Sequence, residues 1–514
     1  MTAEDDTLPK IDRWRSVLLD VHKWSDHAEI KDLTDRLYSE CGIDAFDKSG
    51  NRKPKRKAYD MLRILLLDLY VNWLKDPSLA IGMSMRKPDY KVKGSRYNQL
   101  FISDRIIDVE KSLETNDYVE KLQGYNDKTG AGQSYSTRIR HTSKLRAAFE
   151  KLTIDAYDIS YHEKRETIIL REKYEDETKS KKVRNLEYED TDYTNTIRDQ
   201  LTTYNNLLKR TFIDIPSLHD PIVKRLITKG KRAGQTQFIS IGPDNKHVHR
   251  VFNGTEEDNW TKGGRFYGGW WLQIPRDMRK DIYLNDKPTV EVDYKALHPN
   301  FLLIEMGSDT SVIDPYDLES LILPEKVPDL EMQRAYVKSL ILMAINADSA
   351  SLAFAAFRND AKKGEIARSL TNVQLQKLLD GFTDRFPELK DALNTGRALQ
   401  LMNKDSIIAN MVINHFTQKG IPVLCIHDSF IIQHDKQDEL KQVLHNASVQ
   451  VTGKGIEQDS KSNEKKIKTY VQGNIRGFEE GRTQYIKLPN KVAPTEQYIL
   501  RKNKFSKWLS LQDD

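Results

Sequence analysis

An α+β fold follows from three features of the sequence. Apolar residues at intervals of three and four mark helices through much of the opening region. Two short apolar stretches far apart in the chain, Thr289 to Asp293 and Ile421 to Asp428, read as strands that each deliver an aspartate at one end. Between them Met332 to Ala347 is helical in composition. Carboxylates at the ends of buried strands can reach a cation while the backbone stays covered. Two of them suit a pair of magnesium ions about 3.5–4 Å apart, the arrangement used for in-line phosphoryl transfer.

With 514 residues the chain has room for roughly three domains of about 150 residues each. A hydrophobic fraction of 38%, a charged fraction of 31% and a net charge of +5 describe a soluble, mildly basic protein. That excess is too small to argue nucleic-acid binding by itself, so local clusters have to carry the case. Cys41 and Cys425 are the two cysteines, which excludes a disulfide framework and a cysteine zinc site and predicts a reducing compartment. The acidic opening lacks an apolar core and predicts no secretory leader. Met61 to Tyr70, the longest apolar run, is too short and too charged to span a bilayer. A cytoplasmic protein with no membrane partner is expected.

Residues 1–95 read as a helical N-terminal region, with helical spacing in Trp14–Trp24 and Tyr59–Leu74. The basic run Arg52–Lys57 reads either as a solvated loop or as a phosphate contact. Over 96–150 a helix at Asp104–Leu113, a strand-like Tyr118–Leu122, a flexible Gly124–Gly132 loop and the basic Ser136–Arg146 follow one another. This order suggests a winged helix, with Arg138, Arg140, Lys144 and Arg146 near a duplex backbone. A plain helix pair with a basic edge is the alternative. Residues 151–235 carry dense charge of both signs and read as a solvated connector. Within it Thr194–Leu208 is a helix with Leu201, Tyr204, Leu207 and Leu208 on one side, lying along a duplex or packed against the next domain.

Glycines surround one arginine and several aromatics over Trp260–Trp270. Such a segment lets another backbone approach closely and leaves Arg265 to hold a phosphate or a base edge, unless its aromatics are simply core. His247 and His249 share one strand face but lack a third ligand nearby, so they read poorly as a metal pair.

Taken in order, Thr261-Lys-Gly-Gly-Arg265, Leu272-Gln-Ile-Pro275, Asp293-Tyr294 and His427-Asp428-Ser429 resemble the superfamily of family A DNA polymerases and single-subunit phage and mitochondrial RNA polymerases. The resemblance covers roughly residues 250–435 and leaves out the N-terminal half. It implies a right-hand polymerase: palm with an antiparallel sheet, helical fingers and thumb. On that reading 236–305 is the first part of the palm with motif A, 306–400 the fingers with motif B, and 401–514 the second part of the palm with motif C and a basic tail. Thumb-like helices would lie in 151–235.

The same resemblance implies site roles. Asp293 and Asp428 would hold two Mg²⁺ ions, for which Mn²⁺ can substitute, with the carbonyl of Tyr294 completing one shell. Arg334 and Lys338, four residues apart on one helix face, would grip the triphosphate of the incoming nucleotide. Thr261, Gly264, Arg265 and Gln273 would contact template and product, and His427 would orient the turn or touch the primer end.

Departures from the family bear on sugar choice. Leu342 and Asn346 stand where the families carry aromatic or tyrosine side chains, and His298 stands where the DNA polymerases place a glutamate and the RNA polymerases a glycine. A bulky His298 would press on a ribose 2′-hydroxyl, which favours deoxynucleotides, whereas the serine of motif C favours RNA synthesis. The expected activity is template-directed DNA synthesis on a primed template from nucleoside triphosphates. An RNA polymerase or primase is the first alternative. A DNA-binding replication initiator that no longer catalyses is the second.

Overall fold

The computed structural model describes residues 9–48, 58–90, 94–127, 134–175, 181–228, 232–254, 260–308, 314–362, 364–462, 464–475, 478–489 and 492–512; Lys48 and the described residues from 462 to 489 are described by backbone alone. The basic run Arg52–Lys57 and part of the Gly124–Gly132 loop lie outside the described residues.

The N-terminal unit is built on the helix Ala58–Lys75, whose side chains are apolar nearly all round and buried from Met61 to Asn72. Helices Ala28–Glu40 and Arg105–Thr115 pack against it. A four-stranded sheet completes the unit, in the order Ser16–Leu18, Ala80–Met83, Thr137–His141, Val119–Leu122. One core runs through the three helices and the strands Ala80–Met83, Thr137–His141 and Val119–Leu122. The boundary expected near residue 95 therefore does not separate two units, and 96–150 is not a free-standing winged helix. The basic stretch expected as part of a recognition module contains a strand, Thr137–His141, between two others. Its alternation of Thr137, Ile139 and His141 with two arginines has the period of a strand.

The charged segment after residue 160 also enters the fold. Strand Ile168–Glu175 pairs with Lys181–Asn185 on one side and, in parallel, with Val248–Asn253 on the other, and Val248–Asn253 then pairs with Gly263–Gly268. Helix Asp192–Lys209 starts from a capping box at Thr191 and turns Ile197, Leu201, Tyr204 and Leu208 into the core. The Tyr204 hydroxyl donates to the Val423 carbonyl at 2.6 Å. This helix packs against the body of the protein.

The third sheet positions the site. Its strands run antiparallel in the order Val423–Ile426, Ser429–Gln433, Lys287–Tyr294, Tyr283–Leu284, Ile213–Asp214, and Gln458–Ser462 also pairs with Lys287–Tyr294. Helices Leu330–Asn346, Ala350–Asp360 and Asn372–Arg385 pack together in the segment between the two aspartate-bearing strands. Helix Ala398–Gln418 runs against strand Gly263–Gly268, and Gln437–Thr452 packs on Ala398–Gln418 and the Lys287–Tyr294 strand. The stretch beyond Lys461, expected as a basic tail, forms a two-stranded backbone ribbon of 464–475 and 478–489. Among the described residues no helix is long and apolar enough to cross a membrane.

Candidate active site

Strand Lys287–Tyr294 buries Val290 and Val292, which anchors its register and turns Asp293 toward the sheet end with its side chain 22% exposed. In that register Asp293 stands opposite Ser429, the residue after Asp428. Residues opposed in an antiparallel pair have Cα atoms about 4.5–5.5 Å apart, so the two aspartates share one end of two neighbouring strands. Asp428 follows His427 in a tight turn between Val423–Ile426 and Ser429–Gln433, where His427 adopts the left-handed region at φ 60°. The Ser429 hydroxyl donates to Glu291 at 2.8 Å, beside Arg279 at 3.6 Å from that carboxylate. Burial raises the Asp428 carboxyl above the ordinary carboxylate range, opposed by the nearby Arg265 guanidinium.

Asp293 lines an open cavity of about 520 Å³ together with Tyr294, Tyr316, Arg334, Lys338 and Lys461. The Lys461 ammonium lies 2.9 Å from Asp293 Oδ2 and the Arg276 guanidinium 3.7 Å from the same oxygen. Helix Leu330–Asn346, capped by Asp329, presents Arg334 and Lys338 one turn apart to this space. Arg334 pairs with Asp314, and Lys338 Nζ lies 5.8 Å from the Tyr316 ring. Burial raises the Tyr316 hydroxyl above its ordinary range, and the charges of Asp314 and Asp428 push the same way. Leu342 is half-buried one turn further on, and exposed Asn346 returns its amide to the Leu342 carbonyl at 2.6 Å.

A second cluster backs the turn. Arg265 donates through Nε and Nη2 to Asp405, whose side chain is fully buried, and His298 Nε2 lies 2.9 Å from Asp405 and 3.3 Å from Arg265 Nη2. Arg265, expected to meet nucleic acid, is thus committed to a carboxylate of the protein. His298 is held at its ring nitrogen and stacked on Phe301 at 6.2 Å. Asp405 escaped sequence reasoning. The signal was present, since Asp405 sits four residues after Leu401 and three before Ile408, an acid on the apolar face of helix Ala398–Gln418.

The remaining expected contacts fall in several places. Gly264 has φ 89°, and a Cβ there would come within 2.7 Å of Phe252 and of the Ser406 hydroxyl, so its clearance serves the approach of helix Ala398–Gln418. Arg250, fully buried, donates to the Gly264 carbonyl at 2.7 Å and to Ser406 at 3.1 Å. Thr261 is exposed just before this strand. Gln273 lines a different cleft, between the N-terminal unit and strand Thr236–Ser240. His427 meets the Tyr267 ring at 5.5 Å, and its Nδ1 is buried without a partner among the described residues. Burial, helped by Arg265, lowers His427 to about 4, which keeps it neutral near pH 7.

Arg138 and Arg140, expected near a duplex backbone, lie on the strand Thr137–His141 and are 8% and 1% exposed. Arg140 is paired with Glu120 at 2.5 Å. Arg138 donates to the Arg13 carbonyl at 3.1 Å and the Ser136 carbonyl at 2.8 Å. The strand position, absent from the winged-helix reading, is the physical reason. His247 packs on Tyr161 at 4.9 Å and His249 on Tyr267 at 6.3 Å, each against its own ring.

Among the described residues no group of three or more His, Cys, Asp or Glu forms a metal set. Asp293 and Asp428 nevertheless fit Mg²⁺, because hard carboxylate oxygens with water and substrate oxygens suffice for that ion. Cations already stand at the place, since Lys461 and Arg276 lie on Asp293.

The fold and site define an α+β protein with two aspartates at one end of an antiparallel sheet, one of which, Asp293, lines a cavity shared with Arg334 and Lys338 of a helix. Among solved structures the chain is similar to the POL domain of Pol1 from M. smegmatis, in complex with DNA primer-template and dNTP, with a TM-score of 0.27 and 14% identity. The match covers 38% of this chain and spans 45% of the length of that one. No protein-family profile matches the chain, and no curated protein does.

Proposed function

We propose that this chain is a template-directed nucleic acid polymerase that joins deoxynucleotides to a 3′-hydroxyl. The observation that carries the reading is the register of Asp293 opposite Ser429, which brings Asp293 and Asp428 to one sheet end beside a cavity that Arg334 and Lys338 share. Asp293, Asp428 and the Tyr294 carbonyl would hold two Mg²⁺ ions. When bound, such ions lower the pKa of the attacking hydroxyl and neutralise the departing pyrophosphate.

The residues themselves account for the rest. Arg334 and Lys338 take the phosphates, with Arg334 exchanging Asp314 for a more highly charged partner. Lys461 leaves Asp293 as the site fills, which its 47% exposed side chain permits. The Tyr294 hydroxyl, 2.5 Å from the Leu444 carbonyl, fixes the backbone at the strand end and takes no part in the chemistry. Neutral His427 shapes the turn that presents Asp428. His298, tethered by Asp405, forms a stiff wall where the sugar would lie, which supports deoxynucleotides. Synthesis of RNA is the second reading, favoured by Ser429 after Asp428 and by the absence of a glutamate at the position of His298.

The test is extension of a primed template with Mg²⁺ or Mn²⁺ and either dNTPs or rNTPs, beside the D293A/D428A double variant. Product from dNTPs that disappears in the double variant is expected. Product from rNTPs alone would establish the second reading. Equal product from the double variant would defeat both.

A further inference from the structure

A polar cleft of about 460 Å³ lies between the N-terminal unit and the antiparallel pair Ile222–Leu226 and Thr236–Ser240. Arg138 lines it from the first side, Arg232 and Phe238 from the second, and Trp14 and Tyr135 from the rim of the N-terminal sheet. Its lining acids are already neutralised. Asp20 pairs with Lys23 at 3.6 Å, and Asp244 pairs with Lys75 at 2.6 Å and Lys23 at 3.5 Å.

Among the described residues neither arginine pairs with an acid. Arg138 spends Nε and Nη1 on the Arg13 carbonyl and on Ser136, and its Nη2 donates to no acceptor among the described residues. Arg232 gives Nε to the Gln235 side chain at 3.0 Å and is otherwise exposed. Burial of Arg138, with the charge of Arg232 adding to it, makes its protonated form harder to hold. The fold nevertheless makes room for it, because a Cβ on Gly82 would lie 2.7 Å from Arg138 Nη1. Two like charges gathered beside one cleft with no counter-charge among the described residues are stabilised by an anion from outside, and guanidinium forks match a phosphate. Aromatic surface is at hand, with Trp14 and Tyr135 edge to face at 6.1 Å.

We infer that this cleft binds a phosphodiester of single-stranded nucleic acid between Arg138 and Arg232, with a neighbouring base against Trp14 or Tyr135. Aromatic stacking beside a cationic groove is how single strands are held without regard to sequence. Calling this strand the unpaired template rests on the proposed polymerase activity. The phosphate site itself does not.

The experiment measures fluorescence anisotropy of a labelled thymidine oligonucleotide with the full chain across a salt series. Arg232→Gln, at an exposed position, is expected to weaken binding about three- to tenfold and to flatten the salt dependence by about 0.7 per lost contact. Arg138→Gln is expected to do the same, with circular dichroism to show that it is folded. An oligonucleotide bearing 5-iodouracil should photocrosslink to the peptide containing Trp14 or Tyr135. ATP and inorganic phosphate serve as competitors, and displacement of the oligonucleotide only by the longer strand is expected. Unchanged affinity and salt slope in Arg232→Gln, crosslinks confined elsewhere, or full displacement by ATP would each overturn the inference. Primer extension separates the two claims. Intact extension with unaltered binding sinks the cleft alone, whereas weakened binding without any extension sinks the polymerase reading alone.

Discussion

Asp405 receives two hydrogen bonds from the single guanidinium of Arg265, and it does so from a side chain with no solvent exposure. The pair joins helix Ala398–Gln418 to strand Gly263–Gly268 and stands behind Asp428, whose carboxyl feels both charges. Asp405→Ala strands a largely buried cation, and breaking such a pair costs about 3–5 kcal/mol. Thermal unfolding is expected to move down accordingly, with Asp405→Asn losing less because one acceptor oxygen remains. Equal stability of wild type and Asp405→Ala in a urea titration would contradict the bonding described.

Burial raises the Asp428 carboxyl, so holding a charge there is costly. Asp428→Asn removes the charge at nearly constant shape and is expected to abolish nucleotide incorporation while raising the midpoint of unfolding, a gain of about 0.5–2 kcal/mol. A differential scanning measurement beside the extension assay checks both halves of this expectation. A variant that loses activity and stability together would place Asp428 in a purely structural role.

Arg334 and Lys338 share the cavity with Asp293 but not its strand. Neither is deeply tied into the fold: Arg334 pairs with half-buried Asp314, and among the described residues Lys338 has only a ring contact. Lys338→Ala is expected to raise KM for the nucleotide at least tenfold, or about 1.4 kcal/mol, with the fold intact. Arg334→Ala should act in the same direction. Steady-state kinetics with each variant, and an unchanged unfolding curve, are the measurements.

Acid sensitivity follows from histidines held neutral. Burial lowers His22, His249 and His427 to about 4 each, well below their ordinary 6.5. Between pH 6.5 and 4 the unfolded chain binds protons that the folded chain refuses, so unfolding free energy rises with pH across this window. The stability is complete above pH 6.5 and is lost as pH falls, at up to about 1.4 kcal/mol per pH unit per histidine. Urea midpoints from pH 7 to 4.5 should fall, and His427→Gln should reduce the slope.

Gly264 combines a left-handed backbone with a crowded face. Gly264→Ala must strain the backbone and displace Phe252 or Ser406, and a cost of about 2 kcal/mol is expected. Thermal denaturation would show it. Unaltered stability would mean that helix Ala398–Gln418 can retreat from the strand.

Local pattern made part of this protein legible in its sequence. Val290 and Val292 alternate with polar residues, and Val423 to Ile426 are continuously apolar, so the two strands could be read without coordinates. Arg334 and Lys338 could be placed on one helix face because helical spacing is local too. The strand Thr137–His141 is equally legible in its period of two, although its arginines read first as a cluster of charge. What no local pattern contains is pairing. The register of Asp293 with Ser429 joins residues far apart in the chain, and the same holds for Asp405 with Arg265 and for the cleft between Arg138 and Arg232. Residue type and spacing along one element come from the sequence by itself. Which carboxylate meets which cation is decided only when separate elements share a core, because buried charges take whatever partners the packing brings within reach.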